Sequence, residues 1–112
     1  MTDRELLALA AKAAGIGGCW RRGYHPYGDE WYEGIDTGGR VLWNPLTDDG
    51  DALRLAVKLR MLVDVPSLTQ SAQRIEVVAS KVGSIYEPYG DNLGAATRRA
   101  IVRAAAEIGR SM

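Results

Sequence analysis

Cys19, His25 and Asp29 are the residues from which a nucleophile, a base and an orienting acid could be assembled in this 112-residue chain. A thiol becomes an effective nucleophile where a base within hydrogen-bonding reach takes its proton. Nothing in the spacing brings these three together, and the stretch that holds them is rich in turn residues. An ordinary thiol and a surface imidazole are the simpler expectation, so no catalytic residue is assigned. Cys19 and His25 are also the only cysteine and the only histidine. That excludes a Cys/His metal cluster and an internal disulfide. Asp48, Asp49 and Asp51 are the densest carboxylates and could be drawn as a magnesium site. They stand where a helix should begin, however, and a helix start favours negative charge by itself. They also lack the calcium-loop spacing with its distal glutamate. Gly15-Ile16-Gly17-Gly18 follows a helix, whereas a dinucleotide fingerprint has a strand before its glycines and a helix after them. No metal and no cofactor are expected.

Recognition is the chemistry that the side chains favour. Trp20, Arg21, Arg22, Tyr24, Tyr27, Trp31, Tyr32, Arg40 and Trp43 crowd into one stretch. Interleaved Trp, Tyr and Arg suit protein hot spots, and the same groups can stack nucleic-acid bases. Asp29, Glu30, Glu33 and Asp36 are scattered among them, which favours a protein partner over a nucleic acid. Trp43 follows Val41-Leu42 and is the expected core tryptophan; Trp20, beside two arginines, is expected to be partly exposed. Arg98, Arg99 and Arg103 form a short basic helix face, either simply solvated or turned to an acidic partner. The candidate binding residues are therefore Trp20, Arg21, Arg22, Tyr24, Tyr27, Trp31, Arg98, Arg99 and Arg103. The pattern Tyr-x-Pro-Tyr-Gly-Asp occurs at 24–29 and again at 86–91. Two turns with the same punctuation account for it, as would two loops presenting tyrosines.

These residues need elements to hold them. Thr2 and Glu5 form a capping box, Leu6, Leu7, Ala10, Ala13 and Ala14 follow at helical spacing, and Gly15 stops a helix over about 3–15. Frequent glycine in 16–43 rules out a normal helix and predicts two or three short strands, with a turn at Asp36-Thr37-Gly38-Gly39. A second helix is predicted over about 48–62, capped by Thr47 or Asp48, with Ala52, Leu53, Leu55, Ala56, Leu59 and Leu62 as its apolar stripe. Residues 64–73 read as a loop. Arg74–Ala79 and Val82–Glu87 read as strands joined by a tight Ser80-Lys81 hairpin, with Ile75, Val77 and Ala79 on one face. Asp91 should cap a third helix that carries Leu93, Ala96, Ala100, Ile101, Ala104, Ala105 and Ile108. Gly109 should stop it, and Arg103 and Glu107 could pair along it. The order is helix, two or three strands, helix, strand, strand, helix. This is an α/β (α+β) sandwich in which an antiparallel sheet is packed by helices.

The chain length suits one compact domain. Hydrophobic residues make up 46%, much of it alanine, which predicts close helix packing; there is no phenylalanine. Fourteen Lys and Arg balance fourteen Asp and Glu, which argues against a generic polyanion binder. The N-terminus carries charges inside its apolar run and does not read as a signal peptide. No stretch approaches the roughly 20 apolar residues of a membrane span. A cytosolic location without a membrane anchor is expected. A homodimer is the commonest assembly for small proteins, but no pattern here selects it.

The run from Asn44 to Leu59, Asn-Pro-Leu-Thr-Asp-Asp-Gly-Asp-Ala-Leu-Arg-Leu-Ala-Val-Lys-Leu, resembles the central signature of the phage ABA sandwich domain, a family of small bacteriophage and prophage proteins. Asp3-Arg4-Glu5-Leu6-Leu7 is similar to that family's first helix, and Ala95 to Ala104 to its ending. The likeness covers roughly half the residues, while 16–43 is the variable part. It implies an α/β sandwich of phage or prophage origin acting in the host bacterial cytoplasm, and it carries over no reaction and no catalytic residue. The expected function is a non-enzymatic accessory protein that binds a host or phage protein, with inhibition of a host defence as one form. The alternative is a nucleic-acid-binding accessory protein using the arginine and aromatic surface.

Overall fold

A computed structural model describes residues 1–24, 31–39, 41–66 and 73–112, with Tyr24 and Trp31 described by their backbone alone. The capping residue starts the first helix, α1 (Asp3–Ala14): the Thr2 hydroxyl accepts the Glu5 amide at 3.1 Å. Gly15 ends it with a left-handed φ of 70°, and the Gly15 and Ile16 amides return to the Lys12 and Ala11 carbonyls. Strands β1 (Cys19–Tyr24) and β2 (Trp31–Asp36) then pair antiparallel, with Trp20 opposite Ile35 and Arg22 opposite Glu33. In place of a third strand, the described residues after β2 make one bridge, in which Ile35 and Trp43 exchange both backbone bonds at 2.8 and 2.9 Å. The expected turn after β2 is present: the Asp36 carboxylate accepts the Gly38 amide at 2.9 Å.

Helix α2 (Asp49–Lys58) is capped by Asp48, whose side chain accepts the Asp51 amide at 2.8 Å. It stops short of the predicted end at 62. The Arg60 amide returns to the Val57 carbonyl and the Met61 amide to that of Ala56, with Arg60 at φ 53°. This is the same left-handed closure that ends α1, built on arginine where α1 uses glycine. Leu62 therefore leaves the helix and opens a short strand, β3 (Leu62–Asp64). Leu53, expected in the buried stripe, is 65% exposed, and α2 buries Ala52, Leu55 and Ala56.

Strands β4 (Arg74–Ala79) and β5 (Gly83–Pro88) follow, and β3 pairs with the other edge of β4. Their hairpin turns through Ser80, Lys81 and Val82, one residue more than predicted. The Val82 amide reaches the Ala79 carbonyl, and Gly83 takes φ 84° to rejoin the ladder. Ile75, Val77 and Ala79 are buried together, as their alternation required. Helix α3 (Leu93–Arg110) is capped by Asn92 rather than Asp91, because it is the Asn92 side chain that reaches the Ala95 amide, at 2.9 Å.

The class and the helix and strand order are those expected, but the strands form two sheets: the β1–β2 hairpin and a three-stranded sheet ordered β3-β4-β5. Helix α3 joins the parts. It packs against α1, α2, β4 and β5. It buries Ala96, Ala100, Ile101, Val102, Ala104, Ala105, Ala106 and Gly109. Leu7, Ile75, Val77 and Val102 are among the most completely buried side chains, each worth about 1.5–3 kcal/mol over exposure. The alanines let α1 and α3 come close. A side chain on Gly109 would overlap the Leu9 carbonyl. Gly109 is thus a contact point inside a helix that runs on to Arg110, and not the stop that its position suggested.

The free edge of β5 is obstructed. Tyr89 donates to the Gln73 carbonyl, which by alternation turns the main-chain groups of Ser84, Tyr86 and Pro88 away from β4. Pro88 has no N–H, and Arg103 Nη1 donates to the Tyr86 carbonyl at 2.9 Å.

Candidate functional site: the hairpin face and its cleft

The structure separates the sequence-derived candidates into two groups. Arg98, Arg99 and Arg103 lie on α3, where each meets a carboxylate of this chain. Arg98 contacts Asp49 at 2.7 Å and donates to the Leu46 carbonyl at 2.9 Å, tying α3 to the start of α2. Arg99 contacts Asp3 at 3.0 Å and Glu87 at 4.0 Å. Arg103 pairs with Glu87 on β5 and does not pair with Glu107, which instead lies 3.6 Å from Arg110. The orientation of α3 toward the sheet explains the exchange. Glu87 shares the inward face of β5 with Ile85 and keeps only 15% of its side chain exposed. The three arginines act as clips between elements, each set against a carboxylate from another part of the chain.

Trp20, Arg21 and Arg22 lie on β1, while Tyr24 and Trp31 are opposite each other as its last described pair. Tyr27, like His25, Asp29 and Arg40, lies outside the described residues. Arg21 contacts Asp36 across the hairpin at 2.6 Å and Arg22 contacts Glu33 at 3.3 Å. Both arginines stay more than half exposed. Tyr32 is 48% exposed and its ring covers Gly23, its cross-strand partner. Trp20 and Trp43 are both half-buried against the core, so the sequence separated them more sharply than the fold does. The second Tyr-x-Pro-Tyr-Gly-Asp copy has a structural use: the Tyr89 hydroxyl donates to the Pro66 carbonyl at 3.1 Å. The aspartates at the head of α2 are likewise engaged. Asp51 accepts from the Asn44 amide at 3.0 Å and from Arg54 at 2.7 Å.

Trp20 marks a feature that sequence reasoning missed. A cleft of about 520 Å³ opens between α1 and the start of β1. Ala8, Ala11, Ile16, Trp20 and Ile35 give it an apolar floor, and Arg4 and Lys12 flank it. Gly17, Gly18 and Cys19 complete the wall. Among the described residues, no carboxylate lines it. The Arg4 guanidinium stands 6.0 Å from the Trp20 ring centroid, at the limit of a cation–π contact. Among the described residues Arg4 has no acidic partner. Lys12 gives one donor to the main-chain oxygen of Met112 at 3.2 Å and keeps two. A signal for this cleft was present in the sequence. Arg4, Ala8 and Lys12 recur every four residues, which places two cations on one helix face with only a methyl group between them.

Asn44 holds the hairpin to the helical body. It is 8% exposed; its side-chain amide donates to the Glu33 carbonyl at 2.8 Å and accepts from the Leu46 amide at 3.0 Å. That fixes β2, and through it β1, against the start of α2.

No family model matches this chain, and neither a curated protein nor a solved structure matches it.

Proposed function

We propose that this chain is a non-enzymatic accessory protein, of the phage or prophage kind that its sequence resembles, which works in the host cytoplasm by binding a host or phage protein. The reading rests chiefly on the β1–β2 hairpin. It presents Arg21, Arg22 and Tyr32 to solvent beside a half-buried Trp20, the residue types that dominate protein hot spots. A nucleic-acid reading has less support. The α3 arginines it would use already contact Asp49, Asp3 and Glu87, which leaves little charge for phosphates. An inhibitor of a host defence is one form this activity would take.

The test is affinity capture from bacterial lysate with the intact chain and with Arg21→Glu and Tyr32→Ala. Both positions are exposed, so the variants should stay folded. A specific protein retained by the intact chain and lost with either variant is the expected result. Equal capture by all three proteins would refute the hairpin as the contact surface. A nucleic-acid mobility shift that fades steeply with salt would favour the alternative.

A further inference from the structure

The cleft beside Trp20 lies along an open strand edge. Ile35 spends both its main-chain groups on Trp43, so Gly34 and Asp36 must face β1 and bond Arg21 and Cys19. By the same alternation, the N–H and C=O of Trp20 project from the outer edge of β1, which has no strand beyond it among the described residues. A segment laid on that edge would place alternate side chains on the face shared by Trp20 and Ile35, directly into the cleft. Helix α1 would form the opposite wall, with Arg4 and Lys12 along it. At the head of β1, among the described residues, neither the Gly17 nor the Gly18 amide has an acceptor.

Deepening the protein-binding reading, on which this rests, we infer that the cleft takes the C-terminal end of a partner protein, extended and antiparallel to β1. The occupant follows from charge and geometry. The two side chains that bring charge to the cleft, Arg4 and Lys12, are cations, which favours a segment that brings negative charge. A free carboxylate fits between Lys12 and the Gly17–Gly18 amides, where an antiparallel segment ends. The last side chain, opposite Gly18, points at the apolar floor. The third from last, opposite Trp20, meets Arg4 and is acidic. Antiparallel pairing of β1 with a second copy, centred on Arg21, would set arginine opposite arginine.

A library of ten-residue peptides with free C-termini, displayed against the intact chain, tests the inference. Enriched peptides should end in an apolar residue with an acid two positions before it. Amidating the terminus of a selected peptide should weaken binding at least about tenfold. Ala8→Trp, which fills the cleft from an exposed helix position, should abolish binding, and Arg4→Glu should weaken it; circular dichroism reports whether each variant folds. Hydrogen exchange at the Trp20 amide should slow at least about tenfold on saturation with peptide. The inference is overturned if no peptide is enriched over the Ala8→Trp background. It is also overturned if the amidated peptide binds equally well, or if the Trp20 amide exchanges as fast as in the free chain. Protection of that amide in the free chain, with a dimer in sedimentation, would assign the edge to a second copy and overturn it as well. Capture of a lysate protein that is lost with Arg21→Glu but kept with Ala8→Trp would sink the cleft while leaving the hairpin reading intact.

Discussion

Replacing Gly109 by alanine sets two well-understood effects against each other. Alanine is the better helix former, by about 1 kcal/mol in a helix interior. On propensity alone, the substitution should stabilise α3. Packing opposes this, since the new methyl group would overlap the carbonyl of Leu9, and the obstacle is the main chain of α1, which has no rotamer to escape into. Overpacking costs typically about 1–3 kcal/mol, and a rigid obstacle belongs at the upper end. The net expectation is a loss of about 1–2 kcal/mol, or about 4–8 °C in melting temperature for a chain this size. Gly94, in the same helix, is the control. An added methyl group there meets only the ends of the Arg98 and Asn92 side chains, at 3.3 and 3.4 Å, contacts that call for a shift of no more than a few tenths of an ångström. Gly94→Ala should be neutral or stabilising by up to about 1 kcal/mol. In urea unfolding the midpoint should fall for Gly109→Ala and hold or rise for Gly94→Ala, with an unchanged slope in both. A Gly109→Ala protein as stable as the parent would refute the close helix contact.

Asn44→Ala should cost about 2–4 kcal/mol in urea unfolding, because it leaves the Leu46 amide and the Glu33 carbonyl without their partner. Arg60→Gly should raise stability by up to about 1 kcal/mol, since it relieves a left-handed arginine at the end of α2; a loss would show that the Arg60 side chain matters more than its φ. Glu87→Gln should destabilise by about 1 kcal/mol, discounted because both arginine partners are 39% exposed, and the loss should shrink as salt is added.

The sequence disclosed the helices and missed some of their ends. Thr2, Gly15 and Asp48 announce themselves, because caps and left-handed glycines have few chemical alternatives. The end of α2 was hidden because Leu59 and Leu62 stay in phase with the helix and an arginine holds the left-handed position. Gly109 misled for the converse reason: glycine marks both an end and a close approach, and the second depends on Leu9, a hundred residues earlier in the chain. The hairpin residues were legible as a cluster of types. The cleft was not, since its apolar floor draws on residues as distant as Ala8 and Ile35, which only the fold brings together. The basic face of α3 was legible as sequence but not in its role, because the carboxylates that occupy it come from three other places in the chain.

The bond from Arg103 to the Tyr86 carbonyl has a consequence for how this protein keeps company with itself at high concentration. Six-residue edge strands invite accretion, chain upon chain, because each offers a ready row of donors and acceptors. On β5 a neighbouring molecule would find one acceptor occupied, one donor missing at Pro88 and an arginine side chain across its path. The outer edge of β1 carries adjacent arginines, each held by a carboxylate of β2. Growth is therefore obstructed at β5, while the outer edge of β1 is left for a visitor of another kind.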